Sequence, residues 1–211
     1  MKITKFVHSC LVVETENKTV IFDPGLMSNE ALDINNISSL NNIFITHIHS
    51  DHLHIPLIKK LTDKFPNISI VSTDEVVKKL ALENIKAKST PTEDVEFFEA
   101  PHENVSPLIN VQPEQRGLHY LNILTNPGDS HTFSESKKIL ALPITAPWGS
   151  AVSALNLAIK LKPRHIIPIH DWHWREEARI QTYDKFEKIL SQYDITFHKP
   201  TTGETIEITE D

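Results

Sequence analysis

A short apolar run, NIFIT at residues 42–46, leads directly into HIHSDH at residues 47–52, and this junction limits the folds that are open to the chain. The apolar run is typical of a strand that is buried on both faces. Pro56 follows soon after, and proline is common in the first turn of a helix, where its missing N–H is not needed. A buried strand that turns into a helix indicates an α/β protein, in which ligands commonly bind at the loop beyond the strand.

The same order of strand and helix recurs along the 211 residues. Helical patterns occupy four segments, IPLIKKLTDKF, STDEVVKKLALEN, GSAVSALNLAIKLK and REEARIQTYDKFEKILSQY. In the second segment, Ser72 with Glu75 three residues later predicts a capping box. The strand-like runs are KITKFV, CLVVE, TVIFD, NIFIT, ISIVS, VEFFEA, LHYLNIL, KILALP, HIIPI, ITFH and TIEIT. We therefore predict one α/β domain over residues 1–211, with a sheet interior and helices outside.

Composition restricts the class of partner. The formal net charge of −7 argues against a broad basic surface for nucleic acid, since binding to a phosphate backbone depends mainly on lysine and arginine. The single cysteine, Cys10, allows neither an internal disulfide nor a thiolate metal cluster, and we expect it to fill a buried apolar position. The first residues lack the apolar core of a signal peptide, and no run approaches the ~20 residues of a membrane span. We expect a cytoplasmic protein that acts on a small molecule; whether it forms a homo-oligomer is left open.

Four polar residues at the junction form a candidate metal site. His47 and His49 are two apart on an extended chain, so their imidazoles can point to one place. Asp51 and His52 stand where the chain turns towards the helix, and we expect them to aim at a neighbouring place. Imidazole and carboxylate suit zinc, and also iron or manganese. Surface histidines without a role are the alternative, which suits a single residue such as His54 better than the whole set.

Three later strand-like runs also end in residues that can bind a metal. VEFFEAPH ends in His102, NILTNPGDS contains Asp129, and HIIPIH ends in His170. Their shared position after strands predicts that they lie along the same rim. The residues then divide into two sites, one with His47, His49 and His102, the other with Asp51, His52 and His170, with the Asp129 carboxylate as a bridge.

At these positions the sequence resembles the metallo-β-lactamase fold superfamily. HIHSDH matches its H-x-H-x-D-H signature, and His102, Asp129 and His170 follow in the order of its remaining ligands. MKITKFVHSCLVVE and TVIFDPG resemble the branch related to ascorbate-phosphate lactonase, while NPGDSHTF, ILALPITAPW and LKPRHIIPIHD are similar to a bacterial subgroup of that branch. The resemblance covers almost the entire chain and implies an αββα sandwich with both metals in a groove at one edge of the two sheets. One segment, LHYLNILTNPGDS, is compressed relative to the hairpin that usually precedes the family's Gly-Asp step.

The resemblance implies a metal-dependent hydrolase. Two divalent ions, zinc in the first place with manganese or iron as alternatives, would share a water and lower its pKa towards neutrality. The resulting hydroxide would attack an electrophilic carbon or phosphorus. Asp51, Asp129 and the hydroxide offset three of the four positive charges of two such ions, so the site favours an anionic ester, lactone or phosphoester.

Two residues of the opening strands have candidate roles beside the ligands. Asp23, in IFDPG, is a candidate acceptor for the second N–H of a ligand imidazole, because metal-bound histidines usually donate that proton to an oxygen. A turn-forming aspartate before Pro24 is the alternative. His8, at the HSC step, can support the ligands in the same way, and a hydrogen-bonded structural histidine is its alternative.

Other residues close to the predicted ligands have candidate catalytic roles. His131 and His173 are candidate proton donors, with ordinary surface placement as the alternative, and Asp51 counts as a catalytic residue as well as a ligand. Asp171 either orients the preceding histidine or caps the next helix. The three tryptophans near strand ends are expected to wall an apolar pocket or simply to pack: Trp148, Trp172 and Trp174. The stretch SPLINVQPEQRG is expected to form a surface loop that is long enough to reach over a neighbouring site.

Two rival functions stay open at this point. A nuclease or phosphodiesterase uses the same ligand set, and it predicts a basic groove for which Lys59, Lys60 and Lys64 are the nearest candidates. The acidic balance of the chain counts against it. A protein that binds metal or a partner without catalysis is the other alternative, and the intact ligand set counts against that one.

Overall fold

The computed structural model describes residues 1–104 and 112–209. The chain divides into two compact units, a first unit of Met1–Pro91 with Pro200–Asp211 and a second unit of Thr92–Lys199. The prediction of one domain over the whole chain stays a prediction. The first half of the predicted loop SPLINVQPEQRG, residues 106–111, lies outside the described residues. Within the described ranges, no helix is both long enough and apolar enough to cross a membrane.

The first unit contains a mixed sheet of six strands, numbered here in chain order. They are β1 (Lys2–Lys5), β2 (Leu11–Glu14), β3 (Thr19–Phe22), β4 (Asn42–Phe44), β5 (Ser69–Val71) and β12 (Thr205–Glu207). The spatial order is β12-β1-β2-β3-β4-β5. The pairs from β12 to β3 are antiparallel, while β3, β4 and β5 run parallel. Phe22 is in register with Phe44, and Phe44 with Val71, so the chain leaves these three strands at one edge of the sheet.

Two helices cover one face of the first sheet. Helix α1 (Ile55–Lys64) has Pro56 in its first turn, and α2 (Asp74–Leu82) follows β5. Their apolar stripes and the facing strand residues form one core cluster, which includes Val12, Ile21, Ile43, Ile70, Leu57, Leu61, Val76 and Leu80. The cap of α2 is Thr73, whose side chain accepts from the Val76 N–H. The predicted cap, Ser72, is wrong by one residue, because its hydroxyl instead donates to the Ile45 carbonyl at 2.7 Å.

The second unit contains the other six strands, again in a mixed sheet. They are β6 (Val95–Phe98), β7 (Gly117–Tyr120), β8 (Leu124–Asn126), β9 (Ile139–Pro143), β10 (His165–Ile169) and β11 (Thr196–Phe197). The spatial order is β11-β10-β9-β8-β7-β6. Strands β8 to β11 are parallel, and β7 runs antiparallel to both of its neighbours, β6 and β8.

The predicted single strand LHYLNIL is wrong. It is a tight hairpin, in which β7 ends at Tyr120, β8 begins at Leu124, and the Ile123 N–H donates to the Tyr120 carbonyl at 2.9 Å. Leu121 and Asn122 make the turn with φ angles of 50° and 56°, a left-handed conformation that leucine rarely adopts. The compressed segment noted in the sequence is therefore a hairpin with a minimal turn.

Two further helices belong to the second unit. Helix α3 (Ala151–Leu161) begins with a capping box between Ser150 and Ser153, and α4 (Glu176–Leu190) begins with two glutamates that suit the positive end of a helix. Together with strand residues they form a second core cluster, which includes Leu140, Leu142, Ile166, Ala154, Leu157, Tyr183, Phe186 and Phe197.

Candidate metal centre

The loop after β4 carries a first donor group, defined as His47, His49, Asp51 and His52. His47 and His49 each offer a ligand nitrogen, and these atoms lie within 4.8 Å of one another. The ring centroids of His47 and His52 are 4.1 Å apart. His47 and His52 are completely buried, while His49 is exposed and Asp51 is partly exposed. The first unit therefore brings His47, His49 and His52 close together, and their role as metal ligands, like that of Asp51, stays a prediction.

Asp23 and Thr46 hold two of these imidazoles in place. Asp23 Oδ1 accepts from the Thr46 backbone N–H at 2.8 Å, and the Thr46 hydroxyl lies 3.1 Å from both Asp23 oxygens, so that hydroxyl donates to the carboxylate. Thr46 Oγ1 is then an acceptor for His47 Nδ1 at 3.1 Å, and Asp23 Oδ2 accepts from His52 Nδ1 at 3.0 Å. Because both Nδ1 atoms carry the proton, each ring presents the Nε2 lone pair as its ligand atom.

Gly25 lets the segment after β3 lie directly against the donor loop. A Cβ atom at this position would lie 1.7 Å from the Asp51 carbonyl oxygen and 2.1 Å from its carbon. On either side of Gly25, the Leu26 N–H donates to the Ser50 carbonyl and the His54 N–H donates to the Pro24 carbonyl, at 2.7 and 3.1 Å. The DPG step therefore forms a backbone cradle for the loop that carries the first donor group.

His8 and Ser9 approach the same loop from the turn after β1. His8 Nε2 lies 3.0 Å from Asp51 Oδ2, and His8 is 3% exposed. Ser9 Oγ lies 3.3 Å from His52 Nδ1. Cys10, next in the chain, is buried, and this burial raises the pKa of its thiol to about 12, so it is not a nucleophile.

The second unit carries a second donor group, defined as His102, Asp129 and His170. Asp129 Oδ1 lies 2.8 Å from His170 Nε2, and Asp129 Oδ2 lies 3.6 Å from His102 Nε2. His102 Nδ1 donates to the Glu103 carbonyl at 2.7 Å, which again leaves Nε2 as the ligand atom. All three residues are buried. Asp129 thus stands between two imidazoles, with one oxygen towards each.

Trp148 and His131 flank Asp129 but have different surroundings. The Trp148 indole N–H donates to Asp129 Oδ2 at 3.2 Å. His131 Nε2 donates to the Pro143 carbonyl at 2.7 Å, and Nδ1 lies 3.1 Å from the hydroxyl of Ser153. Burial lowers the pKa of His131. Both of its ring nitrogens thus connect the end of β9 to the start of α3, which favours a structural contact; the proton-donor role stays a prediction.

The turn after β10 holds the remaining predicted residues. Asp171 is buried and accepts from the Tyr183 hydroxyl at 2.5 Å, so it contacts α4 through Tyr183 and is not the cap, which is Arg175. His173 is exposed, and its ring centroid is 5.8 Å from that of Trp172 and 5.9 Å from that of Trp174. Its role as a proton donor also stays a prediction.

Sequence reasoning missed several residues that position the donors. Thr46, Gly25 and Tyr183 belong to this set, and so does Gln115, whose buried amide accepts from the Asp129 N–H at 2.9 Å. Gly25 belongs to the DPG step that lies against the donor loop. It offered a local signal, because glycine permits close approach of two backbones. The other three act through contacts with residues distant in the chain, for which the sequence offered no local signal.

Comparison with known proteins gives matches over most of the chain. A family model for the beta-lactamase superfamily domain matches residues 2–170. Protein Rv0786c of Mycobacterium tuberculosis is 28% identical over 205 residues, which cover 90% of this chain and 93% of that protein. Igni18, a metallo hydrolase from the archaeon Ignicoccus hospitalis, superposes with a TM-score of 0.73 at 17% identity, over 99% of both chains.

A redox enzyme shares the fold as well. CmlA, a diiron beta-hydroxylase from Streptomyces venezuelae, superposes with a TM-score of 0.69 at 10% identity, over 98% of this chain and 54% of the CmlA chain. At these identities the solved structures show the fold alone. Together with the family match they confirm the α/β fold class that the sequence predicted.

Proposed function

Because the chain belongs to the β-lactamase superfamily and has its metallo-β-lactamase fold, we propose that it is a metal-dependent hydrolase of a small, anionic ester, lactone or phosphoester. The observation that carries the proposal is the orientation of the donors. Protein oxygens hold Nδ1 of His47 and His52 in the first unit and of His102 in the second, so these buried rings present Nε2. Asp129 lies between His102 and His170. Imidazoles that are held in one tautomer are typical of metal ligands.

We propose that the two donor groups together hold two divalent ions. His47, His49 and His102 would bind one ion, and Asp51, His52 and His170 the other, with Asp129 as the bridge. Nitrogen and carboxylate oxygen donors fit zinc, iron and manganese, and a likeness to a diiron protein leaves iron as a candidate beside zinc. When bound, such ions would supply a Lewis acid that activates water and polarises the bond to be cleaved.

The side chains of the chain itself would set the geometry and charge of the reaction. Asp23 and Thr46 fix the tautomers of His52 and His47, and the Trp148 N–H fixes one oxygen of Asp129. Two carboxylates, Asp51 and Asp129, would offset half of the charge of two divalent ions. The remaining positive charge favours an anionic substrate or an oxyanion in the transition state.

The test combines metal content with activity. We expect the purified protein to contain bound zinc, iron or manganese by elemental analysis, and to hydrolyse at least one member of a panel of lactones, phosphodiesters, thioesters and amides. Chelator should abolish the activity, and the metal should restore it. His102→Ala should lose both metal and activity, whereas His198→Gln, a change outside both donor groups, should keep both. Bound metal without turnover of any panel member would instead support a non-catalytic metal-binding protein.

The nuclease alternative has less support among the described residues. Lys59 pairs with Glu83 at 2.6 Å, and Lys64 donates to the carbonyls of Ile34 and Ile37 at 2.6 and 2.9 Å. These contacts use two of the three lysines that could have formed a basic groove, in a chain whose net charge is −7. Phosphodiester cleavage in the same panel is the outcome that would favour this alternative.

A further inference from the structure

Gln115 is a buried glutamine that joins the two segments carrying His102 and Asp129. It is 8% exposed and lies two residues before β7. Its side-chain NH₂ donates to the Ala100 carbonyl at 2.7 Å and to the Pro127 carbonyl at 3.3 Å. Its side-chain oxygen accepts from the Asp129 N–H at 2.9 Å. Because two carbonyls and one N–H surround the amide, only one orientation satisfies all three contacts.

The order of the strands explains why one side chain can reach both segments. Strand β7 lies between β6 and β8 and is antiparallel to both, with Phe98 in register with Gly117 and Leu118 with Asn126. The ends of β6 and β8 therefore flank the beginning of β7. Residues just before β7 lie between the two segments that continue towards His102 and Asp129.

Prolines prevent the backbone ladder from making this connection. Pro101 and Pro127 follow the ends of β6 and β8, and proline has no N–H to donate to a neighbouring strand. The side-chain amide of Gln115 instead links the two segments, through the carbonyls of Ala100 and Pro127 and the N–H of Asp129. A second link exists, because the Glu103 N–H donates to the Asp129 carbonyl at 2.9 Å. The segments should therefore stay close when Gln115 is changed, with their relative position less well fixed.

We propose that Gln115 is a positioning residue that sets the distance between His102 and Asp129 and thereby the metal affinity of the second donor group. This inference rests on the proposed function, since it concerns the same site. Gln115 itself does not ligate the metal. It acts through the backbone on either side, two residues before His102 and at Asp129 itself.

The test compares metal affinity with stability in matched variants. Gln115→Met keeps the approximate volume of the side chain and removes all three hydrogen bonds. Gln115→Glu keeps the acceptor for Asp129 and removes both donors, so it serves if the methionine variant does not fold. Arg116→Ala is the neighbouring control. Leu190→Ala, at a completely buried residue at the end of α4, is a control that removes part of the core of the second unit.

Zn²⁺ affinity is measured by competition with a chromophoric chelator. The absorption spectrum of the Co²⁺-loaded protein reports the geometry of the ligands. Thermal unfolding of the metal-free protein reports its stability. We expect the Gln115 variants to bind Zn²⁺ about 10- to 100-fold more weakly, as changes to residues that orient ligands usually do, with an altered Co²⁺ spectrum. Leu190→Ala should lower the unfolding temperature while its affinity and spectrum stay those of the unchanged protein.

Two outcomes would overturn the inference, and they are distinguishable. If a Gln115 variant unfolds at a lower temperature but keeps the affinity and the Co²⁺ spectrum, its role is structural only, and the proposed function is unaffected. If the unchanged protein binds neither Zn²⁺ nor Co²⁺, the proposed function fails and the positioning role fails with it.

Discussion

The carboxylate of Asp23 lies 3.0 Å from Nδ1 of His52, and both residues are completely buried. The same carboxylate accepts from the backbone and hydroxyl of Thr46. Asp23 has a φ of 45°, a conformation in which aspartate is more common than most residues. One residue thus turns the chain after β3 and orients an imidazole of the donor loop. That this imidazole is a metal ligand stays a prediction.

Replacing Asp23 should weaken metal binding. Asp23→Asn keeps the shape of the side chain, but its amide lacks the charge that holds His52 in one tautomer. We expect the affinity for Zn²⁺ to fall about 10- to 100-fold, measured by chelator competition. Asp33→Asn, at an exposed cap of a short 3₁₀ turn, is the matched control and should bind as the unchanged protein does. Equal Zn²⁺ affinities for the two variants would show that Asp23 does not contribute to metal binding.

A methyl group at Gly25 should displace the donor loop. The Cβ atom of Gly25→Ala would meet the Asp51 backbone at 1.7 Å, and a backbone neighbour cannot move away cheaply. We expect a loss of about 1–3 kcal/mol in the free energy of unfolding, together with a lower metal affinity. Gly203→Ala is the control, because φ is +82° there but no atom lies within 4 Å of its Cβ. That variant should lose stability and keep its metal affinity; a similar result for Gly25→Ala would show that the cradle does not support the donors.

The sequence predicted most of the strands and the closeness of His47 and His49, because both depend on local pattern. An apolar run identifies a buried strand, and residues two apart on an extended chain share a direction. The β7–β8 hairpin was not predictable in this way, since Leu121 and Asn122 replace the Asn-Gly or Asp-Gly that usually marks a two-residue turn. The roles of Thr46 and Gln115 were not predictable either, because each depends on partners that only the fold brings close.

The hydrogen bond between Tyr183 and Asp171 should stabilise the turn that follows His170. Tyr183→Phe removes only the hydroxyl group. The buried Asp171 carboxylate then loses the donor that lies 2.5 Å from it. We expect the free energy of unfolding to fall by about 1–3 kcal/mol, measured by urea denaturation. Tyr193→Phe, at a side chain that is 45% exposed, should have no measurable effect. Equal stability of the two variants would mean that this bond contributes little.

The free energy of unfolding of the metal-free protein should decrease as the pH is lowered, and His119 should cause part of this decrease. This imidazole is buried, with contacts to Thr125 and Glu135, and desolvation lowers its pKa below 6.5. Below that pH the unfolded chain binds more protons than the folded one, so the contribution of His119 is complete above pH 6.5 and is lost as the pH falls towards the lower folded-state value.

Urea denaturation in chelator measures this contribution. Between about pH 7.5 and about pH 5.5 the free energy of unfolding should fall less in His119→Gln than in the unchanged protein. His173→Gln, at an exposed histidine, should keep the full pH dependence. If His119→Gln also keeps it, the proton uptake on unfolding belongs to other groups.

The most direct measurement is anomalous X-ray scattering, at the absorption edge of the bound metal, from crystals of the metal-loaded protein. We expect two peaks, one ligated by His47, His49 and His102 and the other by Asp51, His52 and His170, with an oxygen of Asp129 bound to each ion. A peak held by the donors of one unit alone, or no peak at all in protein that elemental analysis shows to contain metal, would contradict the proposal that the two donor groups form one binuclear centre.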